Sequence, residues 1–280
     1  MNTCLRLVSG VALAAALVAA PGATGATAGQ AGDAAPATLE DAQRLFYGGH
    51  FEAAAALALS LRTADPGNLA ASELRGSALH FQIKRVFGTP KDRERAWKSC
   101  ALCPDLLSEF LSETNLGRVE ARARLKRSPA DEEALFFLGK LDLNVLWLYA
   151  GTLGRKTGWS EYWEGRRSLD AVLRMNPDHA RARLARAWID YIVDTKVPWG
   201  TRWLLGGGDK KRGLQAVRDL ALVPGPPYVQ TEAMFALWDM QVRERSFTEA
   251  VVTARALARD FPENVELAKF LSTYDPDGSR

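Results

Sequence analysis

Apolar residues recur at helical spacing in five stretches of the chain. Residues 39–47 carry Leu39, Ala42, Leu45 and Phe46 on one face of a 3.6-residue period. Residues 69–86 carry Leu74, Ala78, Leu79 and Ile83, with Gly76 where another helix can approach closely. Residues 134–149 are apolar on most sides, through Leu135, Leu138, Gly139, Leu141, Leu143, Leu146 and Trp147. Residues 181–194 carry Leu184, Trp188, Tyr191 and Ile192, and residues 231–242 carry Met234, Phe235, Leu237, Trp238 and Gln241. No strand-like alternation competes, because the short β-branched run at Tyr191-Ile192-Val193 sits inside helical spacing. The pattern predicts an all-α chain.

Two segments between these stretches look alike. One runs from Gly48-Gly49-His50-Phe51 to Asp65-Pro66-Gly67-Asn68, the other from Arg245-Ser246-Phe247 to Phe261-Pro262-Glu263-Asn264. In both, Ala follows the aromatic by three residues and Pro follows it by fifteen. An aromatic in the turn, a small residue at a helix crossing and a helix-stopping Pro form the second half of a two-helix repeat. Asn176-Pro177-Asp178 has the same ending, and Ser128-Pro129 and Val223-Pro224 are looser versions. Successive prolines lie 63, 48, 47 and 38 residues apart, against a plain repeat of about 34. The middle units therefore carry inserts. The first gap holds either one repeat with a long insert or two repeats, one of them shortened.

These residues resemble the tetratricopeptide repeat superfamily. The likeness covers roughly residues 38–270 and is sharpest at 49–68, 176–188 and 247–264, while most turn tyrosines of the family are missing. The resemblance implies a tetratricopeptide-like α-solenoid of about five helix pairs, with inserts in the middle units. It implies a concave groove lined by the first helix of each pair, and a protein or peptide as the partner. A shorter likeness, Gly206-Gly207-Gly208-Asp209-Lys210-Lys211 opening a helix after an irregular loop, is similar to the periplasmic T component of TRAP-type transporters; that family's lipid-bearing cysteine has no counterpart here.

The N-terminal residues predict export. Arg6 precedes the apolar run 7–20, Pro21-Gly22 breaks any helix, and small residues at 24–26 and 26–28 place signal cleavage near Ala26 or Ala28. The run is shorter than the roughly 20 residues of a membrane span, and Cys4 lies before it, badly placed for lipidation. Residues 1–26 thus read as a signal peptide, 27–38 as a flexible leader, 39–272 as the repeat domain and 273–280 as a tail. The expected location is periplasmic or otherwise extracytoplasmic, with no stable membrane insertion once the signal is removed.

Composition adds little. Hydrophobic residues make up 47% and charged residues 25%, a globular balance, and the net charge of +3 gives no reason to expect nucleic acid.

Candidate chemistry is sparse. Cys100-Ala101-Leu102-Cys103-Pro104 admits a thioredoxin-type redox pair, which wants a βαβ context, or half a zinc site. Pro104 occupies the place a haem-attaching His would need, and only His50, His80 and His179 are on offer as further ligands. A structural disulfide is the plain alternative in an oxidising compartment. Gly208, Asp209 and Lys210 open a helix where an anion can bind or where Asp209 simply caps. Six of the eight tryptophans fall between residues 147 and 203. Trp159, Tyr162, Trp163, Trp188, Tyr191, Trp199, Arg202 and Trp203 are residue types that serve as binding hot spots, as pocket walls or as core. Arg118, Arg122 and Lys126, and likewise Arg181, Arg183 and Arg186, read as solvated cationic faces. No nucleophile, paired-carboxylate or cofactor motif stands out, so the expectation is no enzyme and no cofactor. The leading expectation is an exported scaffold for protein–protein contact in the cell envelope. The alternatives are a periplasmic solute-binding or transporter-accessory module with an aromatic pocket, and a thiol-redox protein using Cys100 and Cys103.

Overall fold

A computed structural model describes residues 37–155, 157–223 and 228–275. The proposed signal peptide and most of the leader lie outside those residues. About 80% of the described residues are helical, and no strand occurs among them, so the protein is all-α.

In chain order the helices are α1 (Leu39–Tyr47), α2 (Phe51–Ala64), α3 (Leu69–Phe87), α4 (Arg93–Ser99), α5 (Cys103–Arg127) and α6 (Glu132–Leu146). A π-helical turn, Trp147–Thr152, extends α6. Then come α7 (Trp159–Met175), α8 (Ala180–Lys196), a 3-10 segment (Trp199–Leu205), α9 (Lys210–Leu222), α10 (Val229–Arg243), α11 (Phe247–Asp260) and α12 (Val265–Tyr274).

The punctuation is local. α2, α5, α7 and α11 each stop two residues before a proline, at Pro66, Pro129, Pro177 and Pro262, because the residue preceding Pro is excluded from the helical region. Asn68, Asp131, His179 and Asn264 then cap the next helix, each side chain accepting from an amide in its first turn. The two look-alike segments also turn alike. His50 N–H donates to Leu45 O and Gly49 N–H to Phe46 O, just as Ser246 N–H donates to Gln241 O and Arg245 N–H to Val242 O. Gly49 and Arg245 occupy the left-handed region this turn requires.

Packing groups the helices in pairs: α1 with α2, α3 with α5, α6 with α7, α8 with α9, and α10 with α11. Successive pairs join through α2·α3, α5·α6, α7·α8 and α9·α10, and α12 packs on α11. The gap between Pro66 and Pro129 thus holds one pair, with α4 inserted between its members. All three inserts, around α4, the π turn and the 3-10 segment, lie between the two helices of a pair, so all three emerge at the same end. The tail starts after Tyr274, two residues later than the sequence pattern placed it.

Helices α6 and α7 cross closely. A Cβ on Gly139 would stand 2.8 Å from Leu169 Cγ and 3.1 Å from Gly165 O, and one on Gly165 would stand 3.1 Å from Gly139 O. The stretch Glu132–Thr152 is long and apolar enough to cross a membrane by length and composition. Here 67% of its apolar window is buried in the protein, and Lys140 and Asp142 within it are ion-paired.

The first pair also meets the last. The Tyr47 ring stacks on Tyr228 and Phe235, at 5.9 and 5.2 Å between centroids. Asn264 Nδ2 donates to Tyr47 O at 2.7 Å, across 217 residues of sequence. Gly165→Val is expected to lower stability by about 2–3 kcal/mol through overpacking at the α6–α7 crossing. Its urea midpoint checks this; a wild-type midpoint would mean the crossing has slack.

Candidate functional site

The inner faces of the pairs converge on charge. Glu73 from α3, Lys140 from α6, Arg181 from α8 and Glu232 from α10 meet there, with side chains 7%, 18%, 22% and 18% exposed. Glu232 takes Lys140 Nζ at 2.8 Å and Arg181 Nε at 2.7 Å. Glu73 lies 3.7 Å from Lys140 and 3.5 Å from Arg181, and also accepts from Ser77 Oγ at 2.9 Å. Burial opposes the charge on Glu232, but the two cations outweigh it and hold its carboxyl down at about 2. Burial likewise opposes the ammonium of Lys140, and Glu232 and Glu73 keep its pKa above the usual lysine value. Burial and the Glu232 carboxylate push the Tyr47 hydroxyl upward, which ties α1 to the same centre. Two acids balance two bases, so the centre is neutral as a unit.

For Arg181 and Arg186 this corrects the reading of a solvated face, while Arg183 is exposed as expected. Arg181 is enclosed, with its guanidinium 4.9 Å from the Phe136 ring, and Arg186 pairs with Asp170 at 2.6 Å. Arg118 and Arg122 are corrected in the same way, while Lys126 is exposed as expected. Arg118 Nε lies 2.8 Å from the fully buried Asp142, and Arg122 holds Glu164 with two hydrogen bonds. The partners come from helices far along the chain, which periodicity does not reveal. Glu73, Lys140, Asp142 and Glu232 were missed for the same reason. Lys140 and Asp142 did leave a signal, as charges inside the most apolar helix.

The aromatic candidates do not form one pocket. Tyr162 and Tyr191 are buried, Trp163 and Trp188 half-buried, and Trp159, Trp199 and Trp203 exposed at 54%, 85% and 73%. Trp188 meets Tyr191 edge to face at 5.7 Å, under the Arg243 guanidinium. Tyr191 donates to Glu244 Oε1 at 2.9 Å. Tyr162 is a strut: its hydroxyl donates to Leu205 O at 2.7 Å, and Arg166 reaches Tyr162, Leu205 O and Gly206 O from the same helix. Arg202 bonds Val197 O and pairs with Asp194. The 3-10 segment is thus held from beneath while its tryptophans face outward. Two grooves, of about 220 and 390 Å³, are lined elsewhere, by residues of α2, α3 and α5 and by residues around α1 and Glu263.

At the start of α9 the amides already have carboxylate partners. Asp194 Oδ2 takes Lys210 N–H at 2.8 Å and Asp209 Oδ1 takes Arg212 N–H at 2.9 Å. Gly208 packs so closely on α8 that a Cβ would lie 2.6 Å from Asp194 N. Cys100 and Cys103 lie at disulfide distance, with sulfurs 1.99 Å apart, Cα atoms 5.4 Å apart and Cys103 fully buried. Beside them, Arg155 sits between the rings of Trp97 and Tyr149, joining the α4 insert to the π-turn insert. His80 hydrogen-bonds Thr152 Oγ1 at 2.8 Å, and burial lowers its pKa to about 3, so the ring is neutral. Set against protein-family models, curated proteins and solved structures, the chain matches none.

Two outcomes follow from this geometry. Glu232 is held below its ordinary value of 4.5, so its share of the stability is present above that pH and fades as pH falls toward 2. Glu232→Gln should cost about 3 kcal/mol at pH 7. The gap to wild type should then narrow between pH 4.5 and 2, as urea melts across that window will register. Thiol titration of unfolded, unreduced protein should find neither Cys100 nor Cys103 free; two reactive thiols would dismiss the disulfide.

Proposed function

We propose that the chain is an exported scaffold of the tetratricopeptide type, holding a protein partner in the cell envelope. The paired packing order, the shared turn of the first and last pairs and the proline two residues beyond each second helix support that architecture. In this reading there are five pairs, and α12 closes the end of the last one.

The observation that carries the functional reading is the contrast between the two surfaces of the stack. The inner faces, where the superfamily usually takes a peptide, are occupied by the Glu73–Lys140–Arg181–Glu232 centre. The insert end instead presents exposed aromatics and cations on firm supports. Aromatic and Arg groups on rigid elements lose little entropy on binding, which is what hot spots require. The protein partner therefore belongs on the insert end, over α4 and the start of α7, where Lys98 and Trp159 are exposed. Among the described residues no titratable constellation at that end points to bond-making chemistry, and the exposed tryptophans do not line the two grooves, so the scaffold reading outranks an aromatic ligand pocket.

A photo-reactive side chain placed at Lys98 or Trp159 in living cells should capture one defined protein. The same group at Asp178, on the opposite end, should not. Equal labelling from both ends would remove the insert end as the binding face.

A further inference from the structure

Trp199, Trp203 and Leu204 are exposed at 85%, 73% and 52%. They protrude from a 3-10 segment whose base is fastened by Tyr162, Arg166 and Arg202. These side chains stand exposed and line neither groove, so they supply a surface to be embedded rather than a pocket to be filled. Its backbone is largely paired internally: Gly206 N–H and Gly207 N–H bond Trp203 O and Arg202 O, and Trp203 Nε1 donates to Gly200 O at 3.1 Å. The unmet polar groups that would oppose entry into a less polar medium are thus few.

The charge within the insert is balanced, with Arg202 paired to Asp194 and Asp209 closing the loop. The three inserts, residues 88–102, 147–158 and 197–209, together hold seven basic and three acidic residues, a net +4 in a chain whose total is +3, and the first two supply all of that excess. The remainder of the chain is therefore slightly acidic. Lys196 and Lys211 flank the 3-10 segment, exposed and with no ion-pair partner among the described residues.

Indole rings at the polar–apolar boundary, with Lys196 and Lys211, unpaired among the described residues, on either side of the segment, match the interface of an anionic bilayer. A protein partner would have to bring a matching cavity and acidic rim; a bilayer brings both an apolar layer and negative charge without one. We infer that residues 199–204 form a hook that docks this protein reversibly on anionic phospholipid. The inference goes beyond the scaffold reading: it fixes where the protein sits, not which partner it holds. Its only premise shared with that reading is that the insert end faces outward.

The test uses the full chain with vesicles of brominated phosphatidylglycerol or brominated phosphatidylcholine, read by tryptophan emission. Residues 1–96 contain no tryptophan, so lipid contact by the apolar N-terminal run does not enter the signal. Phosphatidylglycerol should quench the emission and shift it to the blue, phosphatidylcholine should do little, and roughly 0.5 M salt should weaken the effect. Trp199→Ser with Trp203→Ser should remove most of the quenching and raise the lipid concentration at half-effect about tenfold. Trp238→Phe, a half-buried ring on α10, should leave that concentration unchanged. Quenching that persists in the double variant, or its absence with phosphatidylglycerol, overturns the inference. So does capture of a protein rather than lipid by a photo-reactive group at position 199. Capture from Lys98 and Trp159 is scored separately, so either reading can fail while the other stands.

Discussion

Four charges at the centre of the stack hold the arrangement together. Glu73, Lys140, Arg181 and Glu232 come from four helices spread over 160 residues of sequence, and each meets at least two of the others. Taking such groups out of water is costly, and removing one partner from a buried pair typically costs about 3–5 kcal/mol. The cluster therefore acts as a register pin. Helices that slide or rotate past one another strand a charge, whereas the apolar contacts between the same helices tolerate small displacements. The caps, proline stops and close crossings set each pair; the charge centre sets how the pairs face one another.

Much of this was legible along the chain and some was not, for a physical reason. The five first helices were visible because Leu74, Ala78, Leu79 and Ile83, and their counterparts elsewhere, sit at a period that one element alone produces. Their ends were visible because Pro66, Pro129, Pro177 and Pro262 act on the residue just before them. The turn at Gly49 and Arg245 could be matched for the same reason. Interactions between distant residues left no such trace. Arg118 and Arg181 look like solvated cations until Asp142 and Glu232 are placed beside them by folding. The tryptophans show the other side of this limit: composition marks Tyr162 and Trp199 alike, yet one is a buried strut and the other points outward. Their difference lies in which side of the 3-10 segment each occupies.

The inserts divide the molecule's labour. Between residues 88 and 209 the chain leaves regular pairing three times, and each time it adds polar or aromatic groups at one end. The α4 insert is joined to the π turn through Arg155 between Trp97 and Tyr149. The 3-10 insert is joined to α7 through Tyr162 and Arg166. Each insert is thus braced by a neighbouring unit rather than left as a loop. A surface fixed in this way loses little conformational freedom when something binds to it.

The contact between Tyr47 and Asn264 has a consequence of another kind. In an open stack of helix pairs each unit answers only to its neighbours, so units can be gained or lost at the ends and the termini fray independently. Here the first pair is also a neighbour of the last. Melting that starts at either terminus must break the same seam, so the two ends lose their separate stabilities. Insertion of one more pair, the change by which repeat arrays lengthen most readily, would push Tyr47 away from Tyr228, Phe235 and Asn264. The seam thereby ties the placement of the first pair to that of the last.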